Sequence, residues 1–574
     1  MLRRLSWLPP LILILIGVLF LASGIAQRTI WQPPASVTAQ LDTASISSAQ
    51  NAPLAIVESA ALSQRTGPVQ LKVEGSGPIF LAQGRADDVA AWVGKTSHLE
   101  VVGASDDFSK LNANFVDGQE ASTNPAGSDL WTVEQTANGE LNYEWQPPAE
   151  GDWSLLLASD GSAAAPQKVS ITVPNDTSTP WSIPSMVIGG ILILLGLALW
   201  WFLSKGGGSK NGSSGRRAAG AAAAVIIAVG VASLGYGNLP TASADESPST
   251  SPSSSPTTTS SDSSSPTSTE SASTGTAENS STTFPVLNDD QFSRVLGLVT
   301  KTVASGDAAK NAKLLSPRVD GAALQERTAN YKIRAAAPDY AAREPVADSV
   351  LKGKIVATDR QWPRTAVAVT QGSSNLVPQV LTLVQKAPRD NYKLTQTARL
   401  LPGQKLELPA ESQAAPLAND SKDGTSASAT SAMASFADLL GNPDGKAKSS
   451  FASSVFVNDG KDLQSKLVSD SKDATFSFKH SVLPESVIAF RTSDGGTLVI
   501  GSLDFKITAA PKTANATLTL TDSGTKALAG GDSTQKGYTL SFTERAVLYI
   551  PAGSDNKPIT VVAAERGLIA ASFK

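Results

Sequence analysis

The sequence predicts a membrane-anchored multidomain protein with three transmembrane helices, an extracytoplasmic β-sandwich-like domain and two α+β domains. Three apolar stretches predict the helices, at residues 8–22, 183–203 and 218–234. Short alternating runs between the first two stretches are typical of β-strands. Beyond the third, an order of helices followed by strands occurs twice. At 574 residues the chain is too long for a single core, so several domains are expected.

The composition excludes several classes of site. The chain has no cysteine, which rules out disulfides, thiolate metal sites and cysteine nucleophiles. The two histidines, His98 and His480, give a zinc site or a catalytic triad little to build with. No phosphate-binding loop, dinucleotide fingerprint or G-x-S-x-G motif is present. We therefore predict no catalytic, cofactor-binding or metal-binding residue and no cofactor.

The first apolar stretch lies close to the N-terminus, within residues 1–26. Arg3 and Arg4 precede it and are expected to stay in the cytoplasm. Its length suits a cleaved signal peptide or a membrane anchor, but Gly24-Ile25-Ala26 is a poor cleavage site. We favour an uncleaved anchor, followed by a polar tether over residues 27–53.

Residues 54–176 are predicted to form the β domain. Its strand-like runs are separated by Gly, Pro, Asn and Asp, and one short helix is expected at 86–92. About seven strands over such a length suit a small β-sandwich. The predicted strands are 69–73, 79–82, 99–102, 130–135, 141–145, 153–158 and 169–173.

Two segments of this region carry a resemblance. GPIFLAQGRADDVAAWVGKTSH (77–98) and LWTVEQTANGELNYEWQPPAEGDWSLLLASDGS (130–162) precede a membrane span. This series is similar to ectodomains of uncharacterised actinobacterial multi-span membrane proteins, in which comparable GPVFV and GDWSVVV segments precede a transmembrane helix. The resemblance implies an extracytoplasmic β domain and brings no known activity.

The second and third apolar stretches form a predicted hairpin that sets the topology. Transmembrane helix 2 (181–204) and helix 3 (218–237) are joined by a loop, 205–217, with four basic residues and no acidic one. These residues are Lys205, Lys210, Arg216 and Arg217. Basic loops stay in the cytoplasm, so the regions on both sides of the hairpin are expected outside. The localisation predicted is a multi-pass protein of the cell membrane with a cytoplasmic N-terminus.

The third stretch supports two further hypotheses. Gly220, Ala224, Ala228 and Ala232 form a stripe of small residues, for which Gly189, Gly190 and Gly196 of the preceding helix are candidate partners. Alternatively, Arg216-Arg217, the apolar run and Ala242-Ser243-Ala244 have the order of a signal peptide. Cleavage after Ala244 would then release the C-terminal half.

The rest of the chain divides into a Ser/Thr/Pro-rich disordered linker (238–284), an α+β domain (285–410), a second linker (411–428) and a second α+β domain (429–574). A helix is expected from Asn288 to Gly306. Ala-Leu-Gln-Glu-Arg at 323–327 and Asp-Leu-Gln-Ser-Lys at 462–466 hold equivalent places in the two domains. Helices first and an antiparallel sheet after resembles the NTF2-like α+β cone.

Charge is distributed unevenly along the chain. Residues 27–180 carry seven Lys/Arg against 18 Asp/Glu, whereas residues 285–574 carry 34 Lys/Arg against 28 Asp/Glu. Opposite signs could favour association of the two regions, but two independently solvated surfaces are the simpler interpretation and the one we prefer from the sequence. The basic residues are scattered without interleaved aromatics, so nucleic acid is not expected as a partner.

Short polar motifs give no chemistry on their own. Ser469-Asp470-Ser471-Lys472 fits S-x-x-K, but its S-D-N and K-T-G partners are absent, so chance is the better interpretation. The adjacent acids Asp87-Asp88 and Asp289-Asp290 fit helix starts better than glycosidase carboxylates.

Two functions remain in competition at this point. The first is a non-enzymatic envelope protein that presents extracytoplasmic binding modules on a flexible tether, with the lipid bilayer and an envelope protein or an anionic cell-wall polymer as partners. The alternative is an envelope enzyme with a small-molecule or glycan pocket inside an NTF2-like cone. The alternative requires a pocket of several hundred Å³ (roughly) lined by convergent ionisable residues.

Overall fold

The computed structural model describes residues 7–42, 46, 51–146, 151–205, 284–373, 375–410, 414–422, 424–553 and 557–574. The chain divides into two compact units. One unit draws on residues 1–34 and 176–280, and the other on residues 35–175 and 281–574. The predicted third transmembrane helix (218–237) and the linker 238–284 fall almost entirely outside the described residues.

A first helix, α1 (Leu8–Thr29), belongs to the smaller unit, and the chain then enters the β domain of the larger one. The elements of the β domain in chain order are β1 (Ser36–Leu41), β2 (Leu54–Val57), α2 (Ser59–Ser63), β3 (Val69–Arg85), α3 (Ala86–Val93), β4 (His98–Ala104), β5 (Lys110–Val116), β6 (Val133–Trp145), β7 (Trp153–Ala158) and β8 (Lys168–Pro174).

The β domain is one sheet that closes on itself, and not the predicted two-layer sandwich. Strand β3 changes register between Glu74 and Pro78. Its first half pairs with β8 and its second half with β7, so β3, β7, β2, β4, β5, β1 and β8 form a ring, with β6 alongside β3. The sequence suggested separate strands at 69–73 and 79–82. One strand of 17 residues spans both and closes the sheet by pairing with β8 and with β7.

The inside of this barrel-like sheet is filled by aliphatic side chains. Val57, Leu71, Leu81, Val101 and Leu155 are all buried in one cluster. Apolar and polar residues alternate along the first half of β3 and along β8, which places Leu71 of β3 and Ile171 of β8 on the inner face.

The predicted tether 27–53 is wrong for its central part. Residues Ser36–Leu41 form β1, which pairs antiparallel with β8 and parallel with β5. The strand carries the apolar alternation Val37, Ala39 and Leu41, and all three side chains pack on the core of the β domain. The signal was therefore present in the sequence, within a segment whose Ser, Thr and Pro content suggested a tether.

The smaller unit contains α1 and α4 (Ser182–Lys205), two helices long and apolar enough to span a membrane. They run antiparallel, and residues at seven-residue intervals are in contact. Pro10, Gly17 and Gly24 of α1 meet Gly196, Gly189 and Ser182 of α4, respectively. A Cβ on Gly17 would lie 2.8 Å from the carbonyl oxygen of Gly189, so the close approach requires glycine.

Two of the three α4 glycines proposed as partners of the third apolar stretch contact α1. Gly189 and Gly196 face α1, at Leu21 and Ile14. The stripe Gly220–Ala232 lies outside the described residues, so its contact with α4 stays a prediction. Gly190 has no heavy atom of another described residue within 4 Å of its Cβ position and takes no part in the contact with α1.

The first α+β domain contains α5 (Asp289–Ala309), a 3₁₀ turn (Ala312–Leu314), α6 (Gly321–Ala336), β9 (Val350–Val356), β10 (Arg364–Gln371), β11 (Gln379–Gln385) and β12 (Lys393–Arg399). Helix α5 starts where the sequence predicts, because Asn288 and Gln291 form a capping box.

The second α+β domain repeats this order. It contains α7 (Ala429–Gly441), a 3₁₀ turn (Lys446–Ser450), α8 (Val455–Asp470), β13 (Ala474–Arg491), β14 (Thr497–Pro511), β15 (Leu518–Thr519), α9 (Ser523–Ala529), β16 (Ser533–Thr534), β17 (Tyr538–Ile550) and β18 (Thr560–Phe573). The predicted equivalents 323–327 and 462–466 lie on α6 and α8, the last helix before each four-stranded sheet.

The two four-stranded sheets share a core, so the α+β domains are not independent. Ile355, Val367 and Val380 of the first sheet cluster with Leu498 and Val547 of the second. Ala414 joins the same cluster, and the backbone N–H of Leu417 donates to the carbonyl of Ala489. Where it is described, the predicted linker 411–428 is thus packed chain.

Candidate functional site

The β domain and the first α+β domain are joined at a buried carboxylate, Asp129. Its side chain accepts hydrogen bonds from Arg318 Nη1 and, at 2.8 Å, from the backbone N–H of Tyr392. Its backbone N–H donates to Asn391 Oδ1 at 3.0 Å, and Gln291 donates to its carbonyl. A buried carboxylate with this many donors is held in one geometry, so the two domains meet in a fixed way.

Ion pairs around this contact follow the uneven charge of the chain. Arg360 lies 2.7 Å from Asp87, and Arg364 lies 2.7 Å from Asp88. With Arg318–Asp129 and Arg389–Glu120, each of these four pairs takes its acid from the β domain and its base from the α+β domain. The complementary charges therefore associate, in contrast to the simpler interpretation of two independently solvated surfaces.

Within the second α+β domain, two Glu-Arg dipeptides lie opposite one another in the middle of apolar strands. Glu544-Arg545 of β17 pairs in register with Glu565-Arg566 of β18, so that Glu544 faces Arg566 and Arg545 faces Glu565. Because successive side chains point to opposite faces of a sheet, the two pairs lie on different faces. One pair meets the helices of its own domain and the other meets the first domain.

The pair on the inter-domain face belongs to a buried ionic cluster. Arg545 Nη2 lies 2.9 Å from Glu326 of α6 and 3.3 Å from Glu565, and Arg343 contacts both carboxylates. Burial raises the pKa of Glu565, but Arg545 and Arg343 outweigh it, and the pKa lies below its usual value. The side chain of Glu326 occupies the space beside the Gly567 backbone. A Cβ on residue 567 would lie 1.8 Å from Glu326 Oε1, so this site requires glycine.

The pair on the helix-facing side includes a histidine. His480 Nδ1 lies 2.7 Å from Glu544 Oε2, and Arg566 Nε donates to Glu544 Oε1 at 2.7 Å. The His480 ring stacks on Phe505 with centroids 4.0 Å apart. The side chains of His480 and Glu544 are fully buried.

This cluster leaves two polar atoms free among the described residues, His480 Nε2 and Arg566 Nη2. In the neutral tautomer with its proton on Nδ1, the imidazole donates to the carboxylate and Nε2 carries the lone pair, as in a general base. The arrangement has the elements of proton-transfer chemistry. None of His480, Glu544 and Arg566 lines the neighbouring cleft.

That cleft, of about 740 Å³, lies between the second half of α8 and the sheet of the second domain. Phe542 connects it to the buried cluster, because its ring stacks with Phe505 at 5.5 Å. The apolar residues of the lining are Leu463, Leu467, Ala474, Ile507, Leu518, Leu520, Leu540, Phe542 and Leu568.

Polar side chains make up about half of the lining of the cleft. Lys466 and Lys472 line it and make no ion pair among the described residues, while Asp522 accepts from the backbone N–H of Thr525. Burial raises the pKa of Tyr538, so its phenol is neutral at physiological pH. The cleft thus combines an aliphatic wall with polar groups and charges of both signs.

A wide groove of about 1090 Å³ on the β domain is a weaker candidate. It is lined by turn residues, among them Gly77, Gly139 and Asp160. Backbone N–H groups of Ala163 and Ser162 hold the pKa of the Asp160 carboxyl at about 2, so this acid serves its own turn.

Most of the predicted topology and processing residues lie outside the described part of the chain: Arg3, Arg4, Lys210, Arg216, Arg217, Ala242 and Ala244. Lys205 is described and ends α4, with its Nζ 3.9 Å from the centroid of the Trp201 ring. A cation and an indole at this end suit a membrane interface.

The S-x-x-K motif does not form a Ser-Lys pair. The Ser469 hydroxyl donates to the Lys466 carbonyl and contacts Asp470, and no hydrogen bond to Lys472 is present. His98 is a satisfied core histidine, with Nδ1 at 2.7 Å from the Thr96 carbonyl and Nε2 at 3.1 Å from Glu100. In the described residues no group of three or more His, Asp or Glu is placed to hold a metal.

Sequence reasoning missed the ionic clusters of the second domain. Their signal was present, because a Glu-Arg dipeptide interrupts each of two strongly apolar strands, at 544–545 and 565–566. Charged residues in the middle of such strands are buried only when they are paired.

A comparison of the sequence with known protein families gives a match over the C-terminal part of the chain. Residues 243–572 match a family described as a domain of unknown function, DUF8094, and the match covers both α+β domains. No curated protein and no solved structure matches the chain. Since the matched segment is more than half of the sequence, the chain belongs to the DUF8094 family.

Proposed function

We propose that this chain is a non-enzymatic, membrane-anchored protein of the cell envelope, whose β domain and α+β domains form one extracytoplasmic binding body. The observation that carries the proposal is the contact of Asp129 with Arg318 and Tyr392. It joins a domain that precedes the apolar helix α4 in sequence to a domain that follows it. Two domains that share buried hydrogen bonds lie in the same compartment.

This shared compartment constrains how often the chain crosses the bilayer. In this proposal the number of crossings between residues 175 and 284 is even. With α4 as one crossing, we assign the second to the apolar stretch 218–237, which lies outside the described residues. With α1 as a further crossing, the proposal is a protein with three spans and a cytoplasmic N-terminus.

The antiparallel packing of α1 on α4 supports retention of α1 as an anchor. Helices that meet through glycines at seven-residue intervals are typical of association within a membrane. In this proposal the lipid bilayer is the first partner, and an envelope protein or an anionic wall polymer is the second.

Cysteine labelling tests the topology cleanly, since the natural chain has no cysteine. Single-cysteine variants Asn138→Cys, Lys210→Cys and Lys536→Cys place a thiol in the β domain, the basic loop and the second α+β domain. On intact cells a membrane-impermeant maleimide should label the variants at 138 and 536, and should label the variant at 210 only after permeabilisation. Labelling at 210 on intact cells, or at only one of 138 and 536, would contradict the proposal.

Wall binding is tested separately from topology. Arg318, Arg360, Arg364 and Arg389 pair with acids of the β domain, which reduces the positive charge left for a polymer. Binding of detergent-solubilised full-length protein to purified walls should fall steeply with moderate salt if an anionic polymer is the partner. Salt-insensitive binding would favour an envelope protein.

A processed form is a related proposal. Cleavage after Ala244 would leave the C-terminal domains attached through Arg318 and Asp129 and not free in the medium. A C-terminal tag in an immunoblot of membranes distinguishes the cases, because a fragment beginning at residue 245 is much shorter than the full chain. A single full-length band would dismiss cleavage.

An enzyme with its pocket in the second α+β domain remains the rival proposal. The His480–Glu544 pair favours it, because a carboxylate on Nδ1 leaves Nε2 as a base. Envelope extract incubated with wild type and with His480→Gln should then differ in products detected by mass spectrometry. Identical product profiles from two equally stable proteins would remove the enzyme.

A further inference from the structure

We infer that the cleft of the second α+β domain is a binding site for a single aliphatic chain, such as the acyl chain of a fatty acid or a lysophospholipid. The inference goes beyond the proposed function, which names no small-molecule ligand. It rests on the lining of the cleft, on the incomplete packing of α8 and on the position of the charged groups.

The size and lining of the cleft suit an apolar ligand. Its volume of about 740 Å³ lies within the range of roughly 300–1,000 Å³ that is usual for small-molecule sites. Leu540, Ile507 and Leu518 are buried at its wall, and Phe542 and Leu568 are half-buried beside them. An aliphatic wall beside polar groups is the kind of lining that an amphiphile with one chain would cover.

Helix α8 is buried at its start and half-buried where it borders the cleft. Phe456, Val457 and Gly460 are buried, and a Cβ on Gly460 would lie 3.0 Å from Arg566 Nη2. One and two turns further on, Leu463 and Leu467 are only half-buried and line the cleft, although Leu467 also packs against the core of the sheet. The apolar surface that the two leucines leave exposed is what an aliphatic chain would cover.

The charged groups of the cleft are concentrated near the end of α8 and the start of β13. Lys466 and Lys472 line the cleft there without ion pairs among the described residues, and Asp470 and Asp473 line it beside them. A polar headgroup would lie against these charges of both signs, while the acyl chain extends between Leu467 and Leu540.

Photocrosslinking of the full-length chain in native membranes tests the site. The probes are palmitate with a diazirine on its chain and lysophosphatidylcholine with the same photoreactive chain, and adducts are mapped by mass spectrometry. We expect adducts on residues 463–470 and 538–542 in addition to those on the apolar helices. Excess unlabelled palmitate or lysophosphatidylcholine should abolish the cleft adducts and leave the helix adducts. The probe that gives the stronger cleft adduct identifies the headgroup.

Two neighbouring substitutions give a matched comparison. Leu467→Trp fills the cleft, whereas Val468→Trp adds the same ring at a position that is 57% exposed and does not line it. Each displaced methylene costs about threefold to fourfold in affinity, so Leu467→Trp should reduce the cleft adduct at least about tenfold relative to the helix adducts. Val468→Trp should leave it unchanged, and both variants should melt at similar temperatures.

The inference is overturned if adducts appear on the apolar helices alone, if the cleft adducts resist competition, or if Leu467→Trp and Val468→Trp give equal cleft adducts. These outcomes do not depend on topology, because crosslinking reports the site and cysteine labelling reports the compartment.

Discussion

The two α+β domains have the same order of elements and differ in how completely the helices cover the sheet. In the first, helices of 21 and 16 residues cover strands of seven or eight residues. In the second, helices of 13 and 16 residues cover strands of 13 to 18 residues. A 13-residue helix is about 20 Å long and an 18-residue strand about 60 Å, so the second sheet extends beyond its helices.

This difference explains where the cleft lies. In the first domain Phe292, Val299, Leu381 and Tyr392 fill the space between helices and sheet, and each is almost fully buried. In the second domain an insertion of β15, α9 and β16 follows β14, and the cleft is lined by this insertion, by α8 and by the sheet. Element order therefore does not determine whether an interior is filled.

The largest effect is expected at the ionic cluster between the two domains. Arg545→Met leaves Glu326 and Glu565 buried with fewer cations, which should lower the free energy of unfolding by about 3–5 kcal/mol. Chemical denaturation of the full-length chain measures it. Arg399→Met is the control, since its pair with Glu344 is half-exposed and should cost no more than about 1 kcal/mol. Equal losses would show that burial does not distinguish the two pairs.

Two matched Leu→Ala substitutions measure how completely the interior of each α+β domain is filled. Leu381→Ala in the first domain creates an enclosed cavity and should cost about 3 kcal/mol. Leu540→Ala in the second only widens an existing cleft, so its cost should be about half as large. Both values come from denaturation of the full-length variants. A larger loss for Leu540→Ala would mean that the cleft is closed in solution.

The comparison also separates what the sequence predicts from what it does not. Helix α5 was predicted to within a few residues, because Asn288 and the apolar period of Phe292, Val295 and Val299 are local signals. The repeat of helices and strands was visible for the same reason. The closure of the barrel through β3 depends on pairing with β7 and β8, which lie far away in sequence and leave no local pattern. Strand β1 does carry a local pattern, the alternation of Val37, Ala39 and Leu41, which sequence reasoning missed.

The candidate site was predictable only in part. The Glu-Arg dipeptides at 544–545 and 565–566 indicate buried ion pairs. Alternation of side chains along the strands places the two pairs on opposite faces of the sheet. Their third partners, Glu326, Arg343 and His480, come from other elements and leave no signal in spacing. The cleft results from strands that are longer than the helices packed on them. The sequence does not show this difference until the ends of the strands are known.

A smaller effect is expected from acid. Because the cations around Glu565 depress its pKa below 4.5 despite burial, its carboxylate stabilises the fold above the pKa of the unfolded chain. This stability is lost as the pH falls through the lower, folded pKa. The variant Glu565→Gln should be less stable than wild type at pH 7, and its free energy of unfolding should change less between pH 5 and pH 3. Parallel pH profiles would remove Glu565 as the source.

The smallest effect is expected at the S-x-x-K motif beside the cleft. Ser469→Ala removes hydrogen bonds that stay within the end of α8, and Lys472→Ala removes a side chain without an ion pair among the described residues. Exposed substitutions of this kind change the free energy of unfolding by less than about 0.5 kcal/mol. If the two side chains act together, the double variant will differ from the sum of the single variants. Additive and near-zero changes in the free energy of unfolding would confirm that the S-x-x-K match at 469–472 arises by chance. The aliphatic wall of the cleft, and not this motif, would then be what distinguishes the second domain from the first.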